Sequence, residues 1–265
     1  FFIFIHTFVP QPYYKSDILQ IMSDSDKPIL VFVPHYLGSL RYYEKLMPTL
    51  GQKYAIRFLL LPSERDTTRQ DTMASYCTER GYQYDLIPAF EPKTAIDRFP
   101  FIFPIKRLLF QRNQCRSFFA KYPTLQKIIS PGDIIPLYFF LLQEANKRDI
   151  DTFVLQWALT YERQQTDESP PRGLRGIYFS VLRVLLRIMR LSTQTGAVAG
   201  TGNAKHMGVI NQPAYDHFAR SGVPENKLHI VGYADFTIAE MTAERLKDPT
   251  LRTQVSSHYT IDLTK

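Results

Sequence analysis

Long hydrophobic runs are the first thing this sequence lacks. Nowhere does it hold the run of about 18 uninterrupted apolar residues that a membrane-crossing helix requires, so it contains no complete transmembrane helix. The opening run Phe1-Phe2-Ile3-Phe4-Ile5-His6-Thr7-Phe8-Val9 is apolar but too short to span, and has neither the basic start nor the small-residue cleavage site of a signal peptide. Cysteine is scarce. Cys77 and Cys115 are the only two, with no CxxC spacing, which excludes a disulfide framework and a structural zinc and reads as free thiols of a reducing compartment. There is no HExxH and no clustered His/Cys/Asp set to hold a metal. Gly200-Thr201-Gly202-Asn203-Ala204-Lys205 lacks the spacing of either a Walker A loop or GxGxxG, and reads as a flexible turn. No RNP, zinc-finger or helix-turn-helix signature is present, so no nucleic-acid partner is expected. The first residue is Phe1 rather than Met, and the chain is expected to be a piece cut at both ends.

What is present is a basic, aromatic-rich chain with the means to fold. Its 32 Lys and Arg outnumber 25 Asp and Glu, for a net charge of +7, which suits an anionic partner. Hydrophobic residues make up 45% and aromatics 14%, enough for a sizeable core and too many for disorder. Residues 10–27 are polar and read as a linker. Pro28-Ile29-Leu30-Val31-Phe32-Val33-Pro34 is a β-branched run bounded by prolines, the pattern of a buried parallel strand. The same logic predicts strands over 54–61, 84–87, 127–129, 151–155, 209–210 and 228–231. Helices are predicted over 39–50, 67–80, 105–122, 135–147, 174–191 and 213–221. Such alternation predicts βαβ units and an α/β, Rossmann-like parallel sheet flanked by helices.

The C-terminal half carries a resemblance. Gly208-Val209-Ile210-Asn211-Gln212 is followed by a helix, then by Ser221-Gly222-Val223-Pro224-Glu225-Asn226-Lys227-Leu228-His229-Ile230-Val231-Gly232-Tyr233-Ala234-Asp235. This order resembles the last strand of the N-terminal domain in GT-B glycosyltransferases and UDP-N-acetylglucosamine 2-epimerases. Ser130-Pro131-Gly132-Asp133, a helix, and Ile150-Asp151-Thr152-Phe153-Val154-Leu155-Gln156-Trp157 resemble an earlier part of the same domain. Two departures stand out. Gln156-Trp157-Ala158 replaces Gln-His-Gly, and the first loop reads Pro34-His35-Tyr36-Leu37-Gly38-Ser39 where several transferases have Gly-His. The resemblance implies the N-terminal half of a GT-B fold, with residues 28–236 as the acceptor-side domain and 237–265 as a crossover toward a missing nucleotide-binding domain. It implies a nucleotide-sugar donor, a UDP-sugar, held in that other half, with no cofactor in this one. The expected activity is glycosyl transfer in cell-surface polysaccharide or glycolipid synthesis. A 2-epimerase-like isomerase, a teichoic-acid-type glycerophosphotransferase and a non-catalytic membrane- or carbohydrate-binding module remain alternatives.

Ligands of an open parallel sheet bind at the carboxyl ends of its strands, which selects the candidate site residues. His35 follows the first strand, where an imidazole titrating near neutrality can take a proton from an acceptor hydroxyl. Asp133 follows the fourth, either as a catalytic carboxylate or as the cap of the next helix. Gly38 and Ser39 precede a helix whose free N–H groups can hold a phosphate, although Ser39 also suits an ordinary cap. Trp157 offers an indole face for a sugar ring, with Glu162 nearby, or else packs between domains.

One helix stands apart. At 100° per residue, Arg172, Arg175, Arg183, Arg187 and Arg190 fall within an arc of about 120°. Leu174, Ile177, Tyr178, Val181, Leu185, Ile188 and Met189 lie opposite, with no acidic residue between. A basic helix with a broad aliphatic face suits an anionic membrane surface. The expected location is therefore cytoplasmic, peripheral to the inner face of the plasma membrane, with a sugar or lipid-linked acceptor as partner.

Overall fold

The computed structural model describes residues 27–63, 66, 68–100, 102–156, 180–182, 184–186, 188, 198–234 and 247–248. Within them lies one seven-stranded, all-parallel sheet: β1 Ile29–Phe32, β2 Ala55–Leu60, β3 Tyr84–Leu86, β4 Leu125–Ser130, β5 Asp151–Leu155, β6 His206–Val209 and β7 Leu228–Ile230. Their spatial order is β3-β2-β1-β4-β5-β6-β7. The helices are α1 Leu37–Glu44, α2 Met47–Leu50, α3 Thr68–Glu79, α4 Ile102–Lys121, α5 Pro136–Asn146 and α6 Gln212–Arg220. The fold is an α/β, Rossmann-like sheet with helices on both faces, as the alternation of apolar runs predicts.

The central strands show why. Successive side chains of a strand point to opposite faces, and here both faces are buried. Leu30 and Phe32 of β1, with Phe58 and Leu60 of β2, join Leu40 and Tyr43 of α1 and Met73 and Cys77 of α3 in one core. Val31, Leu59, Ile128 and Val154 point the other way, against Leu108, Cys115 and Phe119 of α4 and Leu137, Phe140 and Leu141 of α5. The cysteines serve these two cores. Both are free and buried, and burial foremost pushes the thiol of Cys77 to about 11 and that of Cys115 to about 12.

Two expectations are corrected in detail. The single helix expected over 39–50 is two, breaking after Glu44. Pro48 explains the break, because it has no N–H to give Glu44 and its ring would collide with that carbonyl. It sits instead in the first turn of α2, where neither matters. The strand expected at Val209-Ile210 starts earlier, at His206. Gly208 is no breaker there. A Cβ on it would lie 2.9 Å from Val231 and 3.0 Å from Leu155, so its missing side chain lets those neighbours close over the strand.

Ser180, Val181, Leu182, Val184, Leu185, Leu186 and Ile188 are helical, as the sequence predicts for this stretch. Leu182 is buried and Leu186 packs on the α4–α5 side of the core. Val181, Val184 and Ile188 are exposed, Ile188 by 73%. The proposed linker before residue 27, most of the crossover 237–265 and the arginines of this helix (Arg172, Arg175, Arg183, Arg187, Arg190) lie outside the described residues.

Candidate functional site

The strand order reverses direction between β1 and β4, which places a crevice between the loops leaving their carboxyl ends. His35 leaves β1 and Asp133 leaves β4, so the topology brings both to this crevice. Their surroundings differ sharply.

His35 is half-buried and held at three points. Its backbone N–H donates to Ser39 Oγ at 2.8 Å. Its ring Nδ1 lies 3.3 Å from the hydroxyl of Tyr138, on α5 across the crevice. Its Nε2 lies 3.4 Å from a guanidinium nitrogen of Arg69, in the first turn of α3. A guanidinium has no acceptor, so Nε2 must offer the lone pair and Nδ1 must carry the proton and donate to Tyr138. Burial first, and the Arg69 charge second, lower the pKa of this imidazole from its ordinary value. At neutral pH it is therefore an uncharged base with Nε2 as its basic atom.

Ser39 is not a cap. The N-cap of α1 is Tyr36, and Ser39, two residues into the helix from Leu37, turns its side chain back on the loop. Its Oγ accepts from the N–H of His35 and of Tyr36 and donates to the Tyr36 carbonyl at 2.8 Å. This buried hydroxyl therefore sets the direction of the His35 loop. Beside Gly38 stands the Tyr36 ring, 2.5 Å from where a Cβ would be, so a side chain at this position would meet that ring.

Asp133 is fully buried and does not cap α5, whose N-cap is Ile135. Its carboxylate accepts from the Gly200 N–H at 2.8 Å and the Ala204 N–H at 3.3 Å, with Gly202 N–H as a third donor. Burial raises its pKa, and the backbone donors work against that rise. The 200–204 segment, expected to be a flexible turn, is thus tied to the end of β4. Gly202 is required there, since a Cβ would sit 2.6 Å from the Asp133 carbonyl oxygen. The donors that this carboxylate meets are backbone N–H groups of the 200–204 segment.

Sequence reading did not single out Arg69, Tyr138, Tyr42 or Tyr233. After β7 the chain turns at Gly232, with φ of 74°, and Tyr233 stacks on Tyr42 of α1 with ring centroids 5.1 Å apart. Burial first of all raises the Tyr42 phenol to about 12. Tyr42 belongs to the buried core that packs on α1 and α3, and Tyr36 stands edge-on to the His35 ring with centroids 6.0 Å apart. Tyr233 lies in the stretch that carried the family resemblance; the others left no local signal. Trp157 and Glu162 lie outside the described residues.

No family model matches the chain. No curated protein matches it in sequence. Among solved structures it is similar to a UDP-GlcNAc 2-epimerase from Neisseria meningitidis bound to UDP-GlcNAc (TM-score 0.45, 11% identity, 88% of this chain and 53% of that one). It is also similar to a UDP-N-acetylglucosamine 2-epimerase from Rickettsia bellii (TM-score 0.42, 10% identity, 88% and 51%). A third similar structure is Phytolacca americana UGT2 complexed with UDP-2fluoro-glucose and pterostilbene (TM-score 0.36, 14% identity, 78% and 54%). The chain thus spans about half the length of each of these proteins.

Proposed function

We propose that this chain is the acceptor-binding half of a GT-B glycosyltransferase-like enzyme, with His35 as the general base. The observation that carries this reading is the uncharged imidazole at the switch point of the sheet, with Nδ1 fixed on Tyr138 and Nε2 as its basic atom. In the proposed reaction an acceptor hydroxyl gives its proton to Nε2 as its oxygen attacks the anomeric carbon. The bond from that carbon to the nucleotide diphosphate breaks, and the diphosphate leaves with the electron pair. The donor, a UDP-sugar, is proposed to sit in the other half of the enzyme, and Tyr36, beside His35, to line the acceptor.

The acceptor is proposed to be a sugar or lipid-linked molecule of cell-surface polysaccharide or glycolipid synthesis, reached from the cytoplasmic side of an anionic membrane. Support comes from the helix around residues 180–188, where Val181, Val184, Leu185 and Ile188 are exposed while Leu182 is buried. Those exposed residues share a broad face, and the sequence places five arginines on a separate arc. Among the described residues no helix is long and apolar enough to cross a membrane, which fits contact from one side.

The test is His35→Gln in the full-length protein, followed by UDP release from UDP-sugars with candidate acceptors. Loss of a general base is expected to slow turnover by roughly 10²–10⁴-fold. Unchanged turnover removes His35 from the chemistry.

A further inference from the structure

We propose that Arg69 is an oxyanion-binding residue that caps the basic nitrogen of His35 and is drawn off it by a ligand bearing a phosphate or carboxylate group. The inference deepens the reading of the acceptor site and rests on it for the role of His35, though the anion binding itself does not.

Of the two ring nitrogens of His35, only Nε2 is available for chemistry, because Nδ1 is committed to the buried hydroxyl of Tyr138. The Arg69 guanidinium stands at Nε2, 3.4 Å away. While it stands there, an acceptor hydroxyl has no lone pair to reach. A cation is also a poor permanent neighbour for a base, since it disfavours the protonated form that the reaction must create.

Arg69 is only loosely held from behind. Among the described residues its one carboxylate partner is Asp66, with 3.7 Å between Nε and the acid oxygen. That acid already accepts from the N–H and the hydroxyl of Thr68 at 3.1 and 2.7 Å, both at the surface. Surface pairs of this kind contribute little. A guanidinium carries five N–H donors in a fork that matches phosphate or carboxylate oxygens two at a time.

The groups facing His35 are Arg69 from α3, Tyr138 from α5, and Tyr36 in its own loop, with Asp66 beyond Arg69. Among the described residues none that hydrogen-bonds His35 is a carboxylate. On this proposal the countercharge that restores basicity to this imidazole comes from the ligand. An anionic ligand pairing with Arg69 frees the lone pair and cancels the adjacent positive charge in one movement.

The experiment follows the His35 ring resonances by NMR in labelled full-length protein, identified by their loss in His35→Gln. Sulfate and acetate are titrated against chloride at fixed ionic strength; sulfate stands in for a phosphoryl group because it does not titrate in this range. The expected result is an upward move of the His35 pKa by roughly half a unit or more on anion binding. Arg69→Gln is expected to raise that pKa without any anion and to abolish the response. Arg69→Lys should retain part of it, and Arg220→Gln, on the surface of α6, all of it. A response to sulfate alone assigns a phosphoryl ligand, and a response to acetate alone a carboxylate. No movement with either anion, or equal movement in Arg69→Gln, overturns the proposal. Loss of the anion response with transfer intact and dependent on His35 sinks the cap alone. An intact response with no dependence of transfer on His35 sinks the base alone.

Discussion

Two buried carboxylates show how environment, not residue type, decides what an acid does here. Glu144 of α5 accepts from Lys147 at 2.7 Å, Arg148 at 3.1 Å and Arg116 at 3.2 Å. Burial opposes its charge, but the three cations win and hold the carboxyl at about 2. The folded value lies below the ordinary one of about 4.3, so this acid stabilises the fold above that pH. The contribution fades as pH falls from about 4.3 through about 2. Thermal melts across this window should therefore show a shallower acid loss in Glu144→Gln than in the native protein; parallel curves would remove Glu144 as an acid-sensitive anchor. Asp133 is held instead by backbone donors. Asp133→Ala leaves three buried N–H groups unpaired and should cost roughly 2–4 kcal/mol in denaturant unfolding. Ordinary surface-like behaviour, below about 0.5 kcal/mol, would disprove the clamp. At His35 the lowered pKa has a kinetic sign. If His35 is the proposed base, the acid limb of kcat/KM should fall below the usual histidine value, and on the proposed displacement of Arg69 by an anionic acceptor the limb of kcat should lie at higher pH.

Elements were the most legible scale. Every expected strand exists, because buried parallel strands announce themselves as β-branched and aromatic runs between Pro and Gly. Boundaries failed where one residue did something that periodicity does not encode. Pro48 split a helix, and Gly208 continued a strand by being small. The second point is testable. Gly208→Val should place methyls into Val231 and Leu155 and destabilise the β5-β6-β7 end by about 1–3 kcal/mol. Adding Val231→Ala should recover part of that loss, and a double mutant no better than the single would refute the close-approach account. The site was less legible than the strands that carry it. His35 was found because it follows a strand. Arg69 and Tyr138 were not, because they meet it from α3 and α5, and nothing local in either helix marks a partner so distant in the chain.

For the molecule as a whole, the order of the strands matters more than any one of them. It sets the crevice between β1 and β4; on the helix around residues 180–188, Val181, Val184, Leu185 and Ile188 face outward while Leu182 is buried. On the membrane reading, Arg183→Glu with Arg187→Glu and Arg190→Glu should release the protein from anionic liposomes. Val184→Ser with Ile188→Ser should weaken binding even at low salt, where the charges alone act most strongly. Unchanged co-sedimentation of both variants would exclude this face as the contact. The charge surplus was legible in composition; which side of the helix the core takes was not, since Leu182 and Leu186 are no more apolar than Leu185.

The pairing of β1 with β4 joins the two halves of the sheet, with Ile29 beside Leu125 and the whole of α1, α2, β2, α3, β3 and α4 strung between them. Contacts that distant along a chain pay their loop-closure entropy before they return any stability, and so form slowly. His35 and Tyr138 straddle that seam. The ring that the chemistry is proposed to use is therefore oriented by a contact across that junction, between groups 103 residues apart in the chain.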